Sequence, residues 1–91
     1  MTTVQLSIRG LPEWLVRQYL TEMGALPDTN EPEASRMIAN GWSVSWSSQK
    51  VQIPGSSKLG LTQFDMEFRG GADAVADAHE RFMKKAQRGG G

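Results

Sequence analysis

His79 is the only histidine in the chain. Imidazole is the side chain best suited to moving protons near neutral pH. Val75 and Phe82 stand four before it and three after it. That spacing sets His79 on the apolar stripe of an expected helix, so its simplest reading is a residue at the edge of the core. Asp77 and Glu80 flank it, but one imidazole with carboxylates on a single helix builds neither a tetrahedral site nor a facial triad. Asp65 and Glu67 lie two apart in a segment that alternates like a strand. Both carboxylates then point the same way, about 7 Å apart, a separation that suits acid–base work or a cation. Arg69 shares that side, and a solvated strand face is the simpler account. Gly70-Gly71 lacks the downstream Gly-Lys-Ser/Thr of a phosphate-binding loop. There is no cysteine, hence no thiol nucleophile, thiolate metal site or disulfide. These patterns predict no catalytic residue, no metal ligand set and no cofactor.

The elements that hold these residues are legible from periodicity. Val4, Leu6 and Ile8 alternate with Gln5, Ser7 and Arg9, which predicts a half-buried strand ended by Gly10. Leu15, Val16, Tyr19, Leu20 and Met23 form one stripe at helical spacing, with Pro12 in the first turn and Gly24 as the C-terminal cap. Ala25 to Glu33 reads as a polar loop without regular structure. Asn40-Gly41 is the preferred pair of a type I′ hairpin. Taken as the turn, it sets Ala39 against Trp42, Met37 against Val44, and Ser35 against Trp46. The apolar parity breaks after Ser48, since Val51 and Ile53 fall out of phase with Trp46, so a bulge or a strand end is expected there. Pro54 to Ser57 is a turn. Leu61 to Arg69 is a strand with Phe64, Met66 and Phe68 inward. A last helix opens near Asp73 and runs to about Gln87.

With 91 residues, 38% apolar and 22% charged, the chain fits one domain, residues 1–88, followed by a flexible glycine tail, 89–91. The order is β-α-β-β-β-α. Burying every apolar face at once predicts an α+β fold in two layers, with an antiparallel-rich sheet of about four strands and both helices on one face. Ten basic and ten acidic residues cancel. A neutral chain is a poor general ligand for nucleic acid or anionic lipid. No apolar run approaches the roughly 18 residues of a membrane span, and no signal peptide is visible. A cytoplasmic place is the default expectation.

Arg9-Gly10-Leu11-Pro12-Glu13-Trp14-Leu15, followed by Tyr19-Leu20, resembles the start of a small uncharacterised bacterial family. That resemblance implies no activity. The element order is similar to one half of a TATA-box-binding-protein-like fold, an analogy of topology alone. Arg88-Gly89-Gly90-Gly91 resembles the flexible diglycine end that ubiquitin-like modifiers and sulfur-carrier proteins offer to an adenylating enzyme. Small, unbranched residues let such an end thread a narrow site. The element order differs from that family's fold, which begins with a hairpin before its helix.

The leading expectation is a small, non-enzymatic interaction domain whose partner is a protein or a second copy of itself. Ile38, Val51, Ile53 and Leu59 are expected as apolar surface outside the core. A second reading is a small-molecule or enzymatic pocket between sheet and helices, lined by Trp14, Tyr19, Trp42 and Trp46. A third uses Gly90 and Gly91 as a modifier-like tail. The weakest is nucleic-acid binding through Arg9, Arg36, Lys50, Lys58 and the helix end, where Arg81 to Arg88 carries four cations. Ser43, Ser45 and Ser47 face out beside Gln5, Ser7 and Arg9, with no aromatic platform on which bases would stack. Glu13 to Glu33 sets five acids against Arg17, and this patch is expected to pair with the basic helix end between copies.

Overall fold

The computed structural model describes every residue except 29, 32–33, 53–59 and 90–91, and for 51, 52, 60, 61, 88 and 89 it describes the backbone alone. The elements are β1 (Thr2–Arg9), α1 (Glu13–Glu22), β2 (Leu26–Pro27), β3 (Arg36–Ile38), β4 (Trp42–Gln52), β5 (Gly60–Gly70) and α2 (Ala72–Gly89). The strands form one five-stranded sheet in the order β1-β5-β4-β3-β2, and every neighbouring pair is antiparallel. This is the expected α+β architecture with one short strand more.

The alternation in β1 appears as half-buried Val4, Leu6 and Ile8 between exposed Thr3, Gln5, Ser7 and Arg9. Pro12 sits just before α1 in an extended conformation, and its carbonyl accepts from the Val16 amide at 3.2 Å. Val16 and Leu20 turn fully inward. The helix stops in a Schellman arrangement: the Ala25 amide reaches the Leu20 carbonyl and the Gly24 amide that of Thr21, both at 3.0 Å.

Three local expectations are corrected. The segment after Gly24 is not without regular structure, because Leu26 pairs with Ile38 and Pro27 with Met37. A proline is tolerated there because β2 is an edge strand. The hairpin register at Met37 and Val44 stands, but the turn is not type I′. That type needs positive φ at both central residues, and here Gly41 alone has it, at 90°. The third correction concerns β4, which carries no bulge. Its pairing with β5 runs unbroken from Trp42↔Gly70 to Gln52↔Gly60. Past the parity break the backbone stays in the same register, with Val51 opposite Leu61.

The core fills the space between the helices and one face of the sheet. Met37, Val44, Trp46, Phe64, Met66 and Phe68 rise from the strands, and Val16, Leu20, Val75, Ala78 and Phe82 come down from the helices. The rings interlock. Phe68 lies 5.9 Å from Trp42, 6.0 Å from Phe82 and 6.1 Å from His79, centroid to centroid, and Tyr19 meets Phe82 edge-on at 6.3 Å. Such contacts add to what burial alone supplies. Among the described residues no buried side-chain polar atom lacks a partner. Nor, among these residues, is any helix long and apolar enough to cross a membrane.

Candidate functional site

The sheet divides the chemistry-bearing residues between its two faces. His79 is half-buried on the covered side, its ring perpendicular to Phe68. Asp65 and Glu67 share the phase of Gln63 and Arg69 and project from the bare side. The sheet therefore lies between the histidine and both carboxylates, and they form no common site. Among the described residues no group of three or more His, Asp or Glu stands close enough to hold a metal ion.

On the bare face Asp65 is the hub of a polar network. Its carboxylate accepts from the Ser7 hydroxyl at 2.8 Å, the Gln63 amide at 2.9 Å and the Gln49 amide at 3.3 Å. Arg9 completes the row, donating to Gln63 at 2.8 Å. The Ser7 hydroxyl foremost, then the Gln63 amide, and last the charge of Arg9 hold the Asp65 carboxyl below its ordinary value, with desolvation opposing them. Glu67 is occupied by Arg69 at 3.0 Å. The two carboxylates are thus split between two separate sets of partners, as a solvated strand face allows.

The four aromatic residues considered for a pocket differ in their exposure. Trp42 and Trp46 are buried, Tyr19 is half-buried, and Trp14 is 65% exposed. Trp46 is held in a clamp of its own. Its indole N–H donates to Glu13 at 3.3 Å, and the Arg17 guanidinium stacks 5.0 Å above the ring. Arg17 also pairs with Glu13 at 3.3 Å and donates to the Ala34 carbonyl at 3.1 Å, tying α1 to β4 and to the approach to β3.

Of the four residues expected as outer apolar surface, Ile38 is 42% exposed. Val51 pairs with Leu61 at the far end of β4, its side chain undescribed, and Ile53 and Leu59 lie outside the described residues. The sequence reading missed an apolar groove of about 410 Å³ beside β1, lined by Leu6, Ile8, Leu11, Met83 and Ala86 with the polar Ser7, Arg9 and Gln87. Periodicity places Leu6, Ile8 and Met83 on apolar faces, but only the strand order reveals that β1 is an edge whose apolar row is incompletely covered.

That groove borders the final turns of α2. The helix continues through Gly89, so the first of the three closing glycines is helical, while Gly90 and Gly91 lie outside the described residues. The cations of this end are largely engaged. Arg81 pairs with Asp77 at 3.6 Å, Lys84 with Glu80 at 3.2 Å, and Lys85 with Glu22 of α1 at 3.7 Å. The acidic and basic patches thus meet at one point within a single chain, at Glu22 and Lys85.

The family model for archaeal MoaD-like proteins matches residues 4–91, a span that takes in both helices, β1 from Val4 onward, the other four strands and the closing glycines. The chain belongs to that family. It is a small domain of the MoaD-like, ubiquitin and sulfur-carrier superfamily, whose MoaD-like members are carriers and adaptors rather than enzymes. Comparison with the curated proteins finds no match to this chain. The archaeal MoaD-like match overturns the resemblance of the opening motif to an uncharacterised bacterial family, and with it the expectation of a bacterial protein of unknown function. The physical reason is plain in the fold. Gly10, Leu11, Pro12, Leu15 and Leu20 form a strand end, a helix start and inward helix positions, which any strand-to-helix unit requires. The MoaD-like match rests on almost the whole chain.

Proposed function

We propose that this protein is a carrier whose working end is the Gly90-Gly91 segment, charged by an ATP-dependent adenylating enzyme. The observation that carries this reading is the MoaD-like match, which extends through the closing glycines. In the proposed reaction the Gly91 carboxylate attacks the α-phosphate of ATP and pyrophosphate leaves, giving an acyl adenylate. Hydrosulfide-level sulfur from a donor then displaces AMP, and the carboxylate becomes a thiocarboxylate. No electrons change hands in either step. The body supplies binding and the partner enzyme supplies the chemistry, so interaction with other proteins is part of this function. A cytoplasmic setting, where ATP is at hand, is part of the same proposal.

The experiment is intact-mass spectrometry of the protein after incubation with native extract, ATP and a sulfide source. The expected product carries the mass change of one oxygen exchanged for sulfur, mapped to Gly91 and absent when ATP is withheld. A protein of unchanged mass in extract that charges another carrier added alongside would overturn the reading.

A further inference from the structure

We propose that the exposed edge of β1 is an interface for a second copy of this chain, joined antiparallel so that two sheets become one. Among the described residues the edge is open: β1 ends the strand order, and all eight of its residues are paired on the other side to β5 without a bulge. An edge left in solution is usually blunted by lysine, proline, a bulge or brevity. The opposite edge shows two of these devices, since β2 has two residues and one is Pro27. β1 shows none of them, and its one charge, Arg9, stands at its very end.

Beside this open edge lies apolar surface that one chain does not cover. Val4, Leu6 and Ile8 are only half-buried, Met83 is 38% exposed, and the groove that Leu6 and Ile8 form with Met83 measures about 410 Å³. A second β1 laid antiparallel is self-complementary. With the twofold axis at Leu6, Val4 faces Ile8 of the second copy, Gln5 faces Ser7 and Thr3 faces Arg9. No like charges are opposed, and the apolar row continues across the seam toward the second Met83. Eight residues of strand span about 26 Å. With a sheet and a helix layer behind the edge, the contact is about 20 Å deep. Each copy then covers about 500 Å², close to 1,000 Å² in all, the lower bound for a specific interface. The dimer should therefore dissociate on dilution.

Light scattering and sedimentation from micromolar to millimolar protein test this. The wild type is expected at twice the monomer mass when concentrated and at monomer mass when dilute. Gln5→Lys combined with Met83→Lys sets like charges across the seam and should weaken the dimer by about a hundredfold or more. Leu26→Lys, at the far edge, should leave it unchanged. Circular dichroism and the melting midpoint check folding. If the double variant unfolds, Gln5→Lys alone decides, because Gln5 is exposed. A wild type that stays monomeric at millimolar concentration overturns the proposal and leaves the edge for a strand of another protein. So does a dimer that survives the double variant or is lost in Leu26→Lys. None of these outcomes bears on charging of the tail.

Discussion

The carbonyl oxygen of Gly41 occupies the space that a Cβ on Gly70 would need. Gly41 turns the β3–β4 hairpin, and Gly70 is the last residue of β5, so the two glycines lock the tip of one hairpin against the end of the neighbouring strand. The same Gly41 oxygen accepts from the Gly71 amide at 3.2 Å, just ahead of α2. Gly70 has a φ of 152°, which a side chain tolerates poorly. Gly70→Ala must therefore both strain its own backbone and push the turn away. It should cost about 2–4 kcal/mol, whereas Gly71→Ala, with nothing within 4 Å of its added carbon, should stay within about 0.5 kcal/mol. Urea unfolding of the two variants side by side is the measurement, and equal losses would show that the glycine contact is not what limits the site.

Phe68 joins the layers. It is fully buried and touches the rings of Trp42, His79 and Phe82. Truncation to alanine should cost about 3–5 kcal/mol, a large share of the stability of a domain this size. Phe82→Leu preserves most of the volume and should cost under about 1.5 kcal/mol. Tryptophan fluorescence during denaturant titration would follow both.

Asp65 links the bare face to pH. Its folded value lies below its ordinary 3.8 because Ser7 foremost, then Gln63 and Arg9, favour the carboxylate. A group depressed on folding stabilises the folded state in full well above its unfolded value. That contribution shrinks as pH falls below 3.8 and vanishes once pH has passed through the depressed folded value. The carboxylate is solvent-exposed, so the effect on stability is small. Ser7→Ala removes the largest cause and should return the Asp65 titration toward its ordinary position. Carboxyl NMR of both proteins would show the shift, and an unmoved titration would mean that the hydroxyl bond does not hold in solution.

Alternation and helical spacing carried most of the architecture. Val4-Leu6-Ile8, Trp42-Val44-Trp46 and Phe64-Met66-Phe68 each state which side of the sheet faces the helices, and those residues do. The limits of local patterning appear where a distant contact decides. Asn40-Gly41 announces a tight turn, but its type is set against Gly70 and Gly71 from a strand two removed in sequence order. Leu26-Pro27 reads as loop because two residues hold no period, and only Met37 and Ile38 make it a strand. The candidate site followed the same division. The glycine tail was visible as composition, while the groove at Leu6 and Met83 waited on knowing which strand lies outermost. That the sheet parts His79 from Asp65 is likewise a matter of strand order, which a linear chain does not display.

Both helices lie on one side of a single sheet, and this gives the molecule two surfaces that answer to different demands. A change at Ser43 or Ser45 alters the bare wall with little bearing on whether the protein folds, and a change at buried Phe68 or Val75 does the reverse. Sequence can drift on the naked side while the scaffold stays fixed, so one wall of the molecule is free to be repainted.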